Sequence, residues 1–156
     1  MTQAHELFHT GIVVRDIDQA MSDIADAVGV RWLPMNPPTG ITMDVWTPEG
    51  TIQVPFRVVY SADGPMHLEL VEAVDGTVWT TTTGGDVHHI GYWSDDVEAT
   101  GVELEAKGFD RVAAGCGLDP DSGIQWVYHQ RGNGPFIEHV SRALAPYIFG
   151  SMPSEV

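Results

Sequence analysis

The chain has 156 residues, of which 43% are hydrophobic, and this predicts one folded domain with a substantial core. Seven Lys and Arg against 22 Asp and Glu give a formal net charge of -15, which repels phosphate backbones and anionic lipids and so argues against nucleic-acid and membrane partners. The start "MTQAHELFH" lacks a signal-peptide pattern, and no apolar run reaches the roughly 18 residues of a membrane span. We therefore expect a cytoplasmic protein, in which the single cysteine, Cys116, forms no intrachain disulfide and is a packing residue rather than a nucleophile.

The first predicted elements, a strand followed by a helix, occur twice in the chain. The stretch "HTGIVVRDIDQAM" begins at residue 9 and "HIGYWSDDVEATG" begins at residue 89. When the two are aligned, His9 matches His89 and Gly11 matches Gly91. In each copy a short apolar run leads through an acidic turn into a helical pattern, so the chain contains an internal repeat.

Each copy carries start and stop signals for its helix. Asp16, with a glutamine three residues later, predicts the start of the first helix, and Gly29 predicts its end. In the second copy Asp95 and Glu98 occupy the capping positions, and Gly108 is the stop. The predicted buried faces are Ile17, Ala20, Met21, Ile24, Ala27 and Val28 in the first helix, and Val97, Thr100, Gly101 and Leu104 in the second.

Further strands are predicted after each helix, so each half is a strand, a helix and then mostly strands. Residues 74–86, which are rich in Gly and Thr, form the predicted connector between the halves. The proline-rich segment 34–54 is interpreted as a loop over a cleft, and the tail from residue 143 carries no prediction. The candidate strands are "RWLPM", "TMDVW", "QVPFRVVYSA" and "MHLELVEA" in the first half, and "DRVAA", "IQWVYHQ" and "PFIEHVS" in the second.

The last strand of each half carries a glutamate, Glu69 in "HLELVEA" and Glu138 in "FIEHVS". Residues two apart on a strand share a face, so His9 and His89 are predicted to point away from the helices. The opposite face of the first strand, Phe8, Ile12 and Val14, is predicted to lie under a helix. If the two halves pack in a related way, the two histidines and two glutamates converge.

Two imidazoles and two carboxylates suit one divalent ion such as Ni, Co, Mn, Fe or Zn, with open positions for water or substrate. A Ca or Mg site is more often built from oxygen ligands alone, and a structural Zn site normally uses Cys. These ligand types do not choose among the five metals.

At these residues the chain resembles the vicinal oxygen chelate superfamily, which contains glyoxalase I, methylmalonyl-CoA epimerase, extradiol dioxygenases and the bleomycin and fosfomycin resistance proteins. The resemblance extends from Leu7 to about Arg142 and rests on "HTGIVVRDID", "HLELVEA", "HHIGYWSDDVE" and "GPFIEHV". It implies an α+β fold in which two βαβββ modules form a curved mixed β-sheet, with helices on the outer face and a metal cleft inside. The modules are then 5–73 and 87–142, joined by the connector 74–86 in a single domain over residues 1–156. The family's metal positions correspond to His9, Glu69, His89 and Glu138.

The resemblance implies a metal-dependent isomerase, epimerase or lyase that chelates a small substrate through neighbouring oxygens and moves a proton through an enolate. Glu138 is the first choice for the base, with Glu69 opposite it as a second acid or base. Asp44 is a further candidate acid on an early strand. Two alternatives stay open: an Fe(II)-dependent extradiol-type dioxygenase that uses His9, His89 and Glu138, and a metal-free binding or resistance protein.

Other side chains receive secondary predictions. By strand alternation His67, Trp93 and Phe136 point toward the ligands and are candidate substrate contacts, whereas His88 and His139 point away and are expected to be packed. His5 and His129 are assigned to strand ends or loops. The seven basic residues are scattered, which argues against glutathione or coenzyme A substrates and favours a smaller or more apolar one. Because dimers are common in the family, a homodimer is expected.

Overall fold

Both halves of the chain contribute to one strongly curved β-sheet in the computed structural model, which describes residues 4–35, 37–81, 87–116, 121 and 123–150. The strands are β1 (Glu6–Val14), β2 (Ile41–Thr47), β3 (Gly50–Phe56), β4 (Val58–Tyr60), β5 (His67–Glu72), β6 (His89–Ser94), β7 (Asp110–Gly115), β8 (Trp126–Gln130) and β9 (Phe136–Ser141). The helices are α1 (Ile17–Val28), α2 (Val97–Ala106) and the short α3 (Ala145–Phe149), which follows a 3-10 turn at Arg142–Leu144.

The sheet is mixed and nearly closes on itself, in the order β3-β2-β7-β8-β9-β6-β1-β5-β4. At its centre β1 and β6 are antiparallel, and each pairs in parallel with the last strand of its own half, β5 or β9. The chain passes from β3 to β4 through Arg57, so one bent segment pairs first with β2 and then with β5. Because β2 also pairs with β7 at Val45 and Trp46, the end strands β3 and β4 are brought together by the continuous chain at Arg57, and the sheet is nearly closed. The predicted α+β fold with a curved mixed sheet is confirmed.

The first helix has the predicted ends. The Asp16 carboxylate accepts a hydrogen bond from the Gln19 backbone N–H at 2.9 Å, and Gly29 ends α1 with a φ of 73°. Its apolar face packs against β4 and β5, where Ile17 contacts a cluster with Val59 and Leu70 on the outer side of the sheet. The predicted buried face extends too far, because Ala27 and Val28 at the end of the helix are both exposed, Val28 to 72%.

The second helix begins one residue later than predicted. Asp96, not Asp95, is its N-cap and accepts a hydrogen bond from the Ala99 backbone N–H at 2.9 Å. A capping carboxylate must lie just before the first helical residue to reach that amide, whereas Asp95 is one position too early and pairs with Arg142 instead. The predicted inner face of α2 is buried at Val97, Gly101 and Leu104. This face packs on β7 and β8, with Val97 against Ala114 and Val127.

The main core lies inside the curved sheet and is rich in aromatic side chains. Phe56, Trp79, Trp126 and Tyr128 are all buried in it. Phe8 also belongs to this inner core, although alternation placed it under a helix. The register of β1 against β6 shifts between Leu7 and His9, so Phe8 turns inward and stacks on Trp93 with 3.7 Å between ring centroids.

Several segments differ from their predictions. "RWLPM" is not a strand, because within it only Trp32 forms an isolated bridge, to Ser61. Much of the segment 34–54 belongs to the β2–β3 hairpin, and only its first part covers a cavity. The first part of the predicted connector is not only a link between the halves. Trp79 lies in it, packs in the core and is 2% exposed. Residues 82–86 of the predicted connector lie outside the described residues.

Candidate metal centre and active site

The four side chains predicted as a set, His9, Glu69, His89 and Glu138, meet inside the curved sheet. All four are buried, and their candidate ligand atoms lie within 4.8 Å of one another. The two histidines come from the central antiparallel strands, and the two glutamates come from the parallel strands outside them. The predicted convergence is therefore confirmed, because the pairing of the two halves brings one His and one Glu from each into a common space.

The spacing of the donor atoms suits one divalent ion. His9 Nε2 lies 3.0 Å from His89 Nε2, 2.9 Å from Glu138 Oε2 and 3.5 Å from Glu69 Oε2. His89 Nε2 lies 3.0 Å from Glu69 Oε1 and 3.3 Å from Glu138 Oε2. Donor atoms that share one ion at about 2.1 Å stand roughly 3.0 to 3.4 Å apart, for right to tetrahedral angles. The four residues thus fit a divalent metal without rearrangement of the strands.

Glu138 supplies a second sign of such a site. Its Oε2 atom is buried and makes no hydrogen bond within the part of the chain described, although two imidazole nitrogens lie within 3.3 Å. Buried carboxylate oxygens are normally hydrogen-bonded, so this one has a free lone pair directed into the cluster. A buried carboxylate oxygen that stays without a hydrogen bond beside two ring nitrogens is expected where all three atoms coordinate one ion.

Two glycines make room for the imidazoles. In the antiparallel β1–β6 pair Gly91 lies opposite His9, and Gly11 lies opposite His89. A Cβ atom on either glycine would overlap the ring across from it. The His-x-Gly repeat therefore has one structural role in both halves. Each half supplies a histidine, and its glycine leaves space for the histidine of the other half.

Two tyrosines extend this symmetry and were not found by sequence reasoning. Tyr60 on β4 lies directly across from Glu69, and Tyr128 on β8 lies directly across from Glu138. The Tyr60 hydroxyl hydrogen-bonds to the Glu69 carboxylate. The two tyrosines end the triplets "VVY" and "WVY" on the strand before each glutamate strand. Their position opposite the glutamates can be recognised only when the register of each hairpin is known.

His88 is packed, as predicted, and it also contacts His89. Its Nε2 atom lies 2.7 Å from the Val78 carbonyl oxygen, which can only accept, so Nε2 carries the proton. Burial, only partly offset by the Val78 carbonyl, lowers the pKa of His88 to about 4, so its Nδ1 atom is an acceptor. His89 Nδ1 lies 2.8 Å away and must donate to it. When His89 is neutral, this contact keeps its proton on Nδ1 and leaves the Nε2 lone pair directed toward His9, Glu69 and Glu138.

The electrostatics of the cluster favour the charged form of Glu69. Burial alone would raise the pKa of Glu69, but His9, His89 and the Tyr60 hydroxyl outweigh it and hold that pKa below its usual range. Burial and the two nearby carboxylates raise the pKa of the Tyr60 phenol well above its ordinary value. Tyr60 therefore stays protonated and acts as a hydrogen-bond donor to Glu69.

A cavity of about 550 Å³ opens onto the cluster from one side. Both glutamates and both tyrosines form part of its wall, whereas the imidazoles of His9 and His89 are fully buried behind them. The 3-10 turn and α3, from the tail that carried no prediction, line it with Leu144, Tyr147 and Ile148. Leu33 and the start of the proline-rich segment cover it, the latter with Pro34, Met35 and Pro37. A molecule in this cavity would meet Glu69 and Glu138 directly.

The three predicted substrate contacts lie around this cavity rather than along its described wall. His67 packs against Phe149 of α3, with 4.2 Å between ring centroids, and its Nδ1 atom donates to the Ser61 carbonyl oxygen at 2.7 Å. Trp93 is stacked on Phe8, and Phe136 lines a second cavity, of about 520 Å³. Their role in binding substrate stays a prediction.

The remaining residues considered in the sequence analysis lie away from the cluster. Asp44 is exposed, since β2 directs Met43 and Val45 inward instead. His139 is buried and packed as predicted, with its Nε2 atom 2.7 Å from His5 Nδ1. His129 is not at a strand end: it lies within β8 and is fully buried beneath α2. Cys116 is a half-buried free thiol.

The fold and the site define an α+β protein whose curved mixed sheet encloses a buried pair of histidines and a pair of glutamates. The sequence profile of the glyoxalase/bleomycin resistance protein/dioxygenase superfamily matches residues 8–128, so the chain belongs to that superfamily. No curated protein matches the chain in sequence.

Several solved structures share the fold at low sequence identity. Methylmalonyl-CoA epimerase from Mycobacterium tuberculosis is 17% identical with a TM-score of 0.59, and the match covers 90% of this chain and 92% of that one. A variant of the Streptomyces coelicolor methylmalonyl-CoA epimerase in complex with 2-nitronate-propionyl-CoA is 18% identical with a TM-score of 0.62, over 90% and 99% of the two chains. A hypothetical protein from Bacillus halodurans is 15% identical with a TM-score of 0.61, over 99% and 100%. At these identities the likeness shows the fold alone.

The helices in the described part of the chain are all too short or too polar to cross a membrane.

Proposed function

We propose that the protein is a divalent-metal-dependent isomerase, epimerase or lyase that moves a proton next to a carbonyl group of a small substrate with two neighbouring oxygens. The observation that carries this proposal is the position of Glu69 and Glu138, which belong both to the His2Glu2 cluster and to the cavity wall. An ion held there would supply Lewis acidity, which stabilises an enolate and makes such a proton removable near neutral pH.

The two glutamates differ in a way that favours Glu138 as the base. Glu69 is held by the Tyr60 hydroxyl and lies 3.0 Å from His89 Nε2, so its position is fixed. Glu138 Oε2 has no hydrogen bond within the described residues, so this carboxylate is freer to turn toward a substrate. Glu138 therefore takes the proton, and Glu69 serves as the fixed ligand and as the second acid or base.

The extradiol dioxygenase alternative uses two histidines and one carboxylate and leaves positions open for oxygen and catechol. Here a second carboxylate, Glu69, lies within the same cluster and would occupy one of those positions. A metal-free binding protein does not need four buried ligand-type side chains, because burying two carboxyl groups and two imidazoles is costly. Both alternatives are therefore weaker than the proton-transfer enzyme.

The first experiment measures the metal content of the purified protein and its catalysis of proton exchange. The protein, loaded with Ni, Co, Mn, Fe or Zn in turn, is incubated in heavy water with a panel of α-hydroxyketones, and deuterium incorporation next to the carbonyl is followed by NMR. We expect exchange that needs the metal, is abolished in Glu138→Gln and is unchanged in Asp44→Asn, since Asp44 is exposed on the outer face of β2.

Each alternative gives a different result in the same preparation. Oxygen uptake with catechols and without proton exchange would replace the proposal by the dioxygenase. A protein that retains no ion after incubation with any of the five metals would be a ligand-binding module. The homodimer implied by the family stays a prediction, which sedimentation can test.

A further inference from the structure

The cavity beside Glu69 and Glu138 is apolar almost throughout. Besides these two carboxylates its described wall carries no charged side chain, and its polar groups are the hydroxyls and ring nitrogens of Tyr and Trp. Its deep wall is aromatic: Phe56 and Trp79 meet edge to face with 4.4 Å between centroids, and Trp79 and Trp126 do so at 5.7 Å. Such a wall suits a flat apolar group.

The basic residues all lie elsewhere, and most are already paired. Arg57, whose side chain approaches the rim near Gly40, is bound to Asp18 and Glu72. Arg31 pairs with Asp63, Lys107 with Glu103, Arg111 with Glu98 and Glu105, and Arg142 with Glu6 and Asp95. Arg131 lies over the ring of Phe109, and Arg15 is exposed between β1 and α1.

An anionic substrate is therefore poorly suited to this cavity. Its charge would be removed from water without a cation to pair with, because the carboxylates of Glu69 and Glu138 would already balance the two charges of a divalent ion held there. The formal net charge of -15 adds a repulsive field around the entrance.

We infer that the substrate is an uncharged, mainly apolar molecule, such as an aryl or alicyclic α-hydroxyketone. Its oxygen-bearing end faces Glu69 and Glu138, and its apolar body lies against Phe56, Trp79 and Trp126. The chelation of the oxygens rests on the proposed function, whereas the preference for a neutral apolar body rests on the cavity alone. At about 30 Å³ for each water-sized group, the 550 Å³ cavity holds on the order of 15 to 20 non-hydrogen atoms.

The test compares two probes of nearly equal size and shape that differ in charge, the neutral para-nitro-α-hydroxyacetophenone and the para-carboxylate of α-hydroxyacetophenone. Binding of each is measured by calorimetry, to the metal-loaded protein and to protein stripped with a chelator. We expect the neutral probe to bind at least about tenfold more tightly than the carboxylate in both forms, and the metal to strengthen its binding further. Equal or tighter binding of the carboxylate in both forms would overturn the inference.

A lysine placed in the wall should reverse this preference. Met43→Lys adds a cation on the inner face of β2, and Thr42→Lys adds the same charge on the exposed outer face next to it. We expect the Met43 variant to favour the carboxylate and the Thr42 variant to keep the preference for the neutral probe. If Met43→Lys does not fold, Met35→Lys at the rim makes the same test. A neutral preference in Met43→Lys and Met35→Lys equal to that of the parent protein would show that wall charge does not select the substrate.

The two proposals fail separately in these measurements. Tight binding of the neutral probe that the metal does not improve, in a protein without proton exchange, would contradict the proposed function and support the inference about the cavity.

Discussion

Gly91 lies directly across the β1–β6 pair from His9, and a methyl group in its place would overlap the His9 imidazole. The same relationship holds between Gly11 and His89, so each half of the chain depends on a glycine in the other half. Neither half could therefore build the cluster of His9, Glu69, His89 and Glu138 alone, and this cluster exists only in the paired sheet.

We expect Gly91→Ala to displace the His9 ring and to lower the amount of bound metal strongly. The added methyl also overpacks a buried position, which typically costs about 1 to 3 kcal/mol of stability. The measurement is the metal-to-protein ratio after dialysis, together with the thermal unfolding temperature. Gly101→Ala in α2 is the matched control, because there the added methyl meets the movable end of Arg111. Full metal content in a folded Gly91→Ala protein would contradict the role of the glycine.

Removal of the Tyr60 hydroxyl should weaken metal binding. Tyr60→Phe takes a hydrogen bond from the Glu69 carboxylate, and loss of such a partner of a metal ligand commonly costs about 10- to 100-fold in affinity. Competition with a chromophoric chelator measures the affinity. Tyr147→Phe is the control, since that tyrosine is 81% exposed at the cavity mouth. Equal affinities in the two variants would show that the Tyr60 contact does not orient Glu69.

His88 is expected to act as a positioning residue for His89. His88→Phe removes the acceptor that fixes the proton of His89 on Nδ1, so we expect weaker metal binding, by about 10-fold or more, and an altered visible spectrum of the Co(II)-loaded protein. His88→Gln retains a side-chain oxygen that can accept from His89, and it should restore much of the affinity. Identical spectra for both variants and the parent would refute this role.

Metal binding should become weaker as the pH falls. Burial would lower the pKa of His89, but the Glu69 and Glu138 carboxylates outweigh it and raise that pKa in the metal-free protein. An ion binds the neutral imidazole, so it must displace a proton from His89 below this raised pKa and need not do so above it. The apparent affinity therefore falls by about tenfold per pH unit for one displaced proton. Calorimetric titrations in buffers of different ionisation enthalpy measure the proton release, and an affinity constant across the histidine range would contradict the expectation.

Local sequence signals were sufficient where a short stretch determines its own conformation. The cap at Asp16 and the stop at Gly29 placed α1, and the repeat of His-x-Gly together with strand alternation identified the four residues of the cluster. Alternation failed at Phe8, because a register shift between β1 and β6 depends on the partner strand and leaves no local mark. The cap of α2 was missed by one residue, since two adjacent aspartates offer the same signal.

Tertiary structure alone decided the environment of the four cluster residues. The amino-acid sequence determined the superfamily, the repeat and the set His9, Glu69, His89 and Glu138, because these depend on residue type and on spacing along a strand. Tyr60, His88 and Trp79 became part of the site only through strand register and through the insertion of the connector into the core. The cavity likewise depends on α3 and the proline-rich segment, which are far apart in the chain and meet only when the sheet curves. Contacts between distant segments are set by the packing of the whole domain, which no short stretch of sequence encodes.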